Sequence, residues 1–148
     1  MRAVGWAVVL LAGCTRERAP QVAADTVPAE TSTVRRVRPA SKPGLIELHN
    51  PFPGDVIQSP LALEGRAKGQ WYFEASFPVY LLNAAGDTIA RVPAEAQGEW
   101  MTENMVFFKA TLDFVAPAGD SGTLILAKSN ASGLPEHDDE LRVPVRFR

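Results

Sequence analysis

The stretch Leu141-Arg142-Val143-Pro144-Val145-Arg146-Phe147 decides the fold class. Apolar side chains fall on Leu141, Val143, Val145 and Phe147, while Arg142, Arg146 and the terminal Arg148 take the alternate positions. A period of two is that of a strand, whose successive side chains point to opposite faces, so one face meets a core and the other meets water. Pro144 stands on the outer face and has no amide hydrogen for a ladder, which predicts an edge strand or an irregularity beside it.

The same alternation recurs upstream. Val106, Phe108, Ala110, Leu112 and Phe114 form one face of a second run, with Lys109, Thr111 and Asp113 on the other. Pro78 interrupts the apolar run Phe77 to Leu82 and marks a bulge or an edge. Turn residues separate such runs about every 8 to 12 positions, the spacing of a sandwich or barrel. Pro51, Pro53 and Gly54, then Ala85, Gly86 and Asp87, then Pro117, Ala118, Gly119 and Asp120 supply the fixed or positive φ that turns require. Strands are expected near Leu45–His49, Asp55–Ile57, Leu61–Ala67, Phe73–Leu82, Thr88–Val92, Met105–Phe114, Gly122–Ser129 and Asp139–Phe147. The fold class is therefore all-β, an antiparallel β-sandwich of about seven to eight strands.

Length and composition agree. With 148 residues, 46% apolar and 22% charged, the chain has room for one core, and its 12 prolines and 11 glycines fit many short elements joined by turns. The formal charge is −2. It becomes about −3 once Arg2 leaves with the leader described next, too little for a sequence-independent grip on phosphates, so nucleic acid is excluded as a partner.

Met1 and Arg2 form a short positive region, Ala3 to Leu11 an apolar one, and Leu11-Ala12-Gly13-Cys14 a lipobox. The apolar part is too short to span a hydrocarbon core, which needs about 20 residues, so residues 1–13 read as a lipoprotein signal peptide. Cys14 is the only cysteine. No intrachain disulfide or thiolate cage is open to it, and lipidation is the expected role. At roughly 0.8 kcal/mol per buried methylene, two or three acyl chains would hold the protein on the membrane almost permanently. Residues 14–44 then read as the lipidated cysteine and a flexible linker, rich in Ala, Pro, Thr, Val and Arg and without aromatic residues. Its basic run Arg35, Arg36, Arg38 and Lys42 is a solvated segment or a contact with anionic headgroups. The domain is expected over residues 45–148.

Several residues in order and spacing give this span a resemblance. Pro51, Pro53 and Gly54 lead; Ser59, Pro60, Leu61 and Gly65 follow; then come Trp71, Tyr72, Phe73, Glu74, Phe77, Pro78 and Val79. Further on stand Gly86, Ala94, Ala96, Gly98, Trp100, Met101, Gly122, Thr123, Leu124, Asn130, Ser132, Gly133, Leu134, Pro135 and Glu136. From Ile46 to Phe147 the chain resembles the immunoglobulin-like domain of bacterial spore germination. It departs at Ala131 and Phe107, where a proline would be expected. The resemblance implies an immunoglobulin-like sandwich used for extracytoplasmic adhesion or assembly, with no catalytic residues to carry over.

Chemistry-bearing residues are few. Trp71, Tyr72 and Phe73 with Trp100 and Met101 form either core packing or a recognition surface for a protein or a sugar, Trp71 and Trp100 being the ones expected to be partly exposed. Glu74 and Glu99 would have raised pKa values if buried, yet nothing positions them as a glycosidase pair, and Glu74 reads as a hydrogen-bonded loop anchor. Glu136, His137, Asp138, Asp139 and Glu140 offer metal-ligand atoms but match no calcium loop, so the segment reads as a solvated acidic loop with no metal. His49 is isolated, and Ser59 lies in a turn without a nucleophile elbow. No phosphate loop or dinucleotide fingerprint is present, so no cofactor and no enzymatic activity are expected. The expected function is that of a lipid-anchored extracytoplasmic binding module, on the cell membrane or outer membrane, for an envelope protein or a cell-wall glycan. The alternative is an immunoglobulin-like inhibitor or regulator of an envelope hydrolase or protease, presenting the loop from Ser129 to Glu140 to its cleft, with Leu134 and Pro135 as the residues whose change would test it. Trp71, Tyr72, Trp100, Met101, Leu134 and Glu136 are thus the candidate partner-binding residues.

Overall fold

In a computed structural model, which describes residues 38–148, nine strands follow in chain order: β1 Ala40–Lys42, β2 Ile46–Asn50, β3 Val56–Ile57, β4 Leu61–Lys68, β5 Ser76–Asn83, β6 Thr88–Ala96, β7 Met105–Leu112, β8 Ser121–Ala127 and β9 Glu140–Phe147. Short 3-10 turns at Gly69–Trp71 and Pro135–His137 are the remaining regular elements among the described residues. The expected leader, the expected lipidation site Cys14 and most of the expected linker lie outside these residues.

The strands form one curled sheet in the order β1-β2-β4-β7-β6-β5-β8-β9-β3. The ladder between its two halves has just two paired positions, Glu95 opposite Lys109 and Ala96 opposite Phe108. The sheet folds over at that narrow seam, so β1, β2, β4 and β7 form one layer and the rest form the other. Alternation along each strand decides which side chains lie between them. Ile46, Leu48, Leu63 and Phe108 from one layer meet Phe77, Val79, Leu81, Leu124, Leu126 and Val143 from the other, all essentially without solvent contact. Phe77 and Phe108 cross the layers edge to face at 5.0 Å. Gly65 makes room for this contact: a Cβ there would lie 2.6 Å from the Phe108 ring and 2.2 Å from the Glu47 carbonyl oxygen.

The prolines fall where their missing donors cost nothing. Pro144 accepts a hydrogen bond from the Gly54 amide at 2.7 Å on the side of β9 away from β8. Its nitrogen points to that same side, where only the two-residue β3 follows, paired at Arg146 and Phe147. Pro78 and Pro93 face each other across β5 and β6, beyond the last pairing of β5 with β8 at Val79.

Several boundaries differ from expectation. β6 runs four residues past the expected Val92 to Ala96, and the ends of β7 and β8 shift by one or two. Two further differences have a local cause. Ala40–Lys42 lies in the stretch assigned to the linker, yet pairs with Ile46–Leu48 through a turn with Pro43 and Gly44 (φ 72) at its corner. Three residues are too few to show a period, which is why the strand is silent in the sequence. The strand expected from Phe73 begins at Ser76, because Glu74 (φ 51) and Ala75 (φ 61) turn the chain with Phe73 bridged to Ser76.

Candidate functional site

Strand directions set the geometry. β4, β6 and β8 end, and β5, β7 and β9 begin, at one end of the sandwich. The connections 69–75, 97–104 and 128–139 therefore share that end, and all six candidate partner-binding residues lie on them. Hydrogen bonds tie the three together. The Gly69 amide donates to the Asn104 carbonyl at 3.2 Å, and the Ser129 amide donates to the Trp71 carbonyl at 3.0 Å. Ser129 Oγ donates to the Ser76 carbonyl at 3.0 Å.

Trp71 and Tyr72 are not surface residues. Trp71 is 1% exposed and Tyr72 4%, which corrects the expectation of a partly exposed Trp71. The 3-10 turn at Gly69–Trp71 rolls the chain from one layer to the other and drives both rings inward. Tyr72 packs edge to face on Phe77 at 5.3 Å, and its hydroxyl donates to the Val106 carbonyl at 2.8 Å. Burial pushes its pKa far above the ordinary phenol value.

Trp100 and Met101 stay in play. Trp100 is half-buried against the core, whereas Met101 is 74% exposed. The 97–104 loop that carries them is fixed from within: the Met101 amide donates to Glu99 Oε1 at 3.0 Å, the Thr102 amide to the Trp100 carbonyl at 2.8 Å and the Gln97 amide to the Phe107 carbonyl at 2.7 Å. It also sits directly on Gly69, where a Cβ would lie 1.9 Å from the Thr102 carbonyl oxygen and 2.3 Å from that of Trp100. Only glycine permits this seating. Between the loop and the turn runs a groove of about 360 Å³ lined by Gln70, Tyr72, Trp100, Met101 and Thr102.

Leu134 and Glu136 are exposed on the third loop. Asn130 organises it, donating from Nδ2 to the Leu134 carbonyl at 2.8 Å and to Asp138 Oδ1 at 2.7 Å while its Oδ1 accepts from the Ser132 amide at 3.1 Å. Lys42 of β1 pairs with Asp139 at the loop's base. Burial raises the Asp139 pKa, but the hydrogen bond from Lys42 and the Glu140 amide outweigh it and hold the carboxyl below its ordinary value. Glu74 is exposed and makes no side-chain hydrogen bond among the described residues, so it is not the loop anchor expected. No group of three His, Cys, Asp or Glu side chains among the described residues is placed to hold a metal ion.

Phe73 and Phe107, 47% and 58% exposed, add apolar surface beside these loops, Phe107 carrying the Arg66 guanidinium 5.8 Å above its ring. Phe107 was legible: it falls on the water-facing register between Val106 and Phe108.

No curated protein and no solved structure matches the chain. A family model does match, over residues 45–133, more than half of the chain and all of the sheet except β1 and β9. With its layers and loops arranged as described, the chain belongs to the family of the immunoglobulin-like domain of bacterial spore germination.

Proposed function

We propose that the protein is a non-catalytic binding module, held to a membrane through lipidated Cys14, whose 69–75, 97–104 and 128–139 loops engage an envelope protein or a cell-wall glycan. The observation that carries this reading is Met101, an apolar side chain 74% exposed on a loop that its own hydrogen bonds and Gly69 hold in one conformation. A preordered loop binds without the entropic cost of ordering. The lipobox supports the anchor. Changing Cys14 to Ser should move the protein from the membrane fraction to the soluble one; retention would sink the anchor. A photoreactive residue at position 101 in cells should capture one stoichiometric partner, while the same residue at Val115, 87% exposed at the other end, should not. Equal labelling from both positions would refute the loop end as the binding surface.

A second reading, regulation of an envelope hydrolase or protease, is favoured by the Asn130-centred loop, which displays Leu134 at 48% exposure in a fixed frame. Changing Leu134 to Ala should then relieve inhibition of the enzyme, whereas the first reading predicts that the loss follows Met101.

A further inference from the structure

We infer that the loop end docks a cationic protein segment, one that carries lysines or arginines beside apolar anchors; this rests on the reading of that end as a binding surface. Each of the three loops exposes one apolar side chain, Phe73, Met101 and Leu134. Around them stand six carboxylates, Glu74, Glu99, Glu103, Glu136, Asp138 and Asp139, against four cations, Lys42, Lys68, Lys128 and, beside Phe73 and Glu74, Arg91. Lys42 pairs with Asp139 and Lys68 with Glu103 at 3.6 Å. The other four carboxylates form no ion pair among the described residues. The end opposite differs, for there Arg38, Arg146 and Arg148 stand among the carboxylates.

A surface of this kind discriminates by charge at its rim and by apolar contact at its anchors. Polymeric phosphate and anionic headgroups are repelled by the excess of six carboxylates over four cations. A neutral glycan can donate hydroxyl hydrogen bonds to these carboxylates but is not drawn in over distance. A protein segment with lysines or arginines is drawn in by them and fixed by Met101 and its apolar neighbours, as both features of the surface require.

The test titrates the full chain with labelled dodecapeptides that share their Leu, Trp and Pro positions and carry Lys, Gln or Glu elsewhere, and in parallel with chitotetraose. The Lys peptide should bind about tenfold more tightly than the Gln peptide at low salt, the advantage fading towards 1 M, where screening reaches about 3 Å. Glu99→Lys combined with Glu136→Lys should abolish that advantage. Asp113→Lys combined with Asp120→Lys changes the net charge equally at the other end and should leave it intact. Met101→Ala should weaken the binding of every peptide. Equal binding of the Gln peptide or of chitotetraose, lost on Met101→Ala, would overturn the charge inference and spare the binding surface. Equal sensitivity to both charge reversals would overturn it too, by making the attraction one of whole-chain charge. Absence of binding by all four probes would sink the binding surface with it.

Discussion

Replacing Ala75 by glycine should stabilise the domain, the reverse of what glycine does in a strand. Glu74 and Ala75 form the two-residue connection between Phe73 and Ser76 with φ of 51° and 61°, the left-handed region in which a Cβ crowds the following carbonyl. Phe73 and Ser76 exchange backbone hydrogen bonds at 2.9 and 3.2 Å, and the Ala96 amide donates to the Ala75 carbonyl at 2.8 Å, so the surroundings impose the conformation. Left-handed backbone costs a residue with a Cβ roughly 1–2 kcal/mol. Glycine's greater freedom in the unfolded chain takes back about 0.4–1 kcal/mol, leaving a gain of about 0.5–1 kcal/mol. With an unfolding entropy of roughly 2 cal/mol/K per residue, that is a rise in Tm of about 2–4 °C. Ala62 is the matched control: exposed in the interior of β4, it should lose about 0.5–1 kcal/mol on change to glycine. Urea unfolding followed by the fluorescence of buried Trp71 measures both. If Ala75→Gly destabilises as Ala62→Gly does, the turn is not left-handed and the reasoning fails.

Changing Trp71 to Ala should cost about 3–5 kcal/mol, as for other large aromatic side chains lost from a core, while Met101→Ala stays within about 0.5 kcal/mol; similar urea midpoints for the two would return Trp71 to the surface. Gly69→Ala should push the 97–104 loop off its seat, lowering Tm and raising amide exchange at Met101 and Thr102, and unchanged exchange there would refute the contact. The Arg66 guanidinium, then His49, holds the Glu47 carboxyl below its ordinary 4.5. A lowered carboxylate stabilises above its unfolded pKa and loses that contribution as pH falls through the folded value. The stability gap between the wild type and Glu47→Gln should therefore hold at neutral pH, shrink from about pH 4.5 downwards and close below the lowered value; a gap constant through acid would refute the pairing.

Much of the fold was legible because burial imposes a period. β9, β7 and β4 announce themselves by alternation, and the prolines at 78 and 144 sit at incomplete pairings for the reason their missing donors require. What was not legible is what tertiary contact imposes on sequences without the usual signature. Glu74-Ala75 is no Asn-Gly, so the turn read as strand. Trp71 beside Gly69 and Gln70 looks like a loop aromatic until the 3-10 turn rolls it inward. The exposed Met101 and the acidic loop were readable as residues, but their company was not: positions 74, 101 and 134 share one end of the sandwich only because β5 lies between β6 and β8.

The strand missed at Ala40–Lys42 changes where the chain enters the domain. Had the linker run to residue 44, the chain would join the domain at Leu45, at the end that carries Trp100 and Leu134. One added antiparallel strand reverses this. Ala40 lies beside Leu48 rather than at the start of β2, so the chain runs towards the loops as it joins the domain. Pairing of Lys42 with Asp139 fixes β1 to the base of the 128–139 loop and so holds that direction. An edge strand too short to show a period thus decides where the described chain enters the sandwich, and β1 places that entry beside the middle of β2 rather than at the loop end.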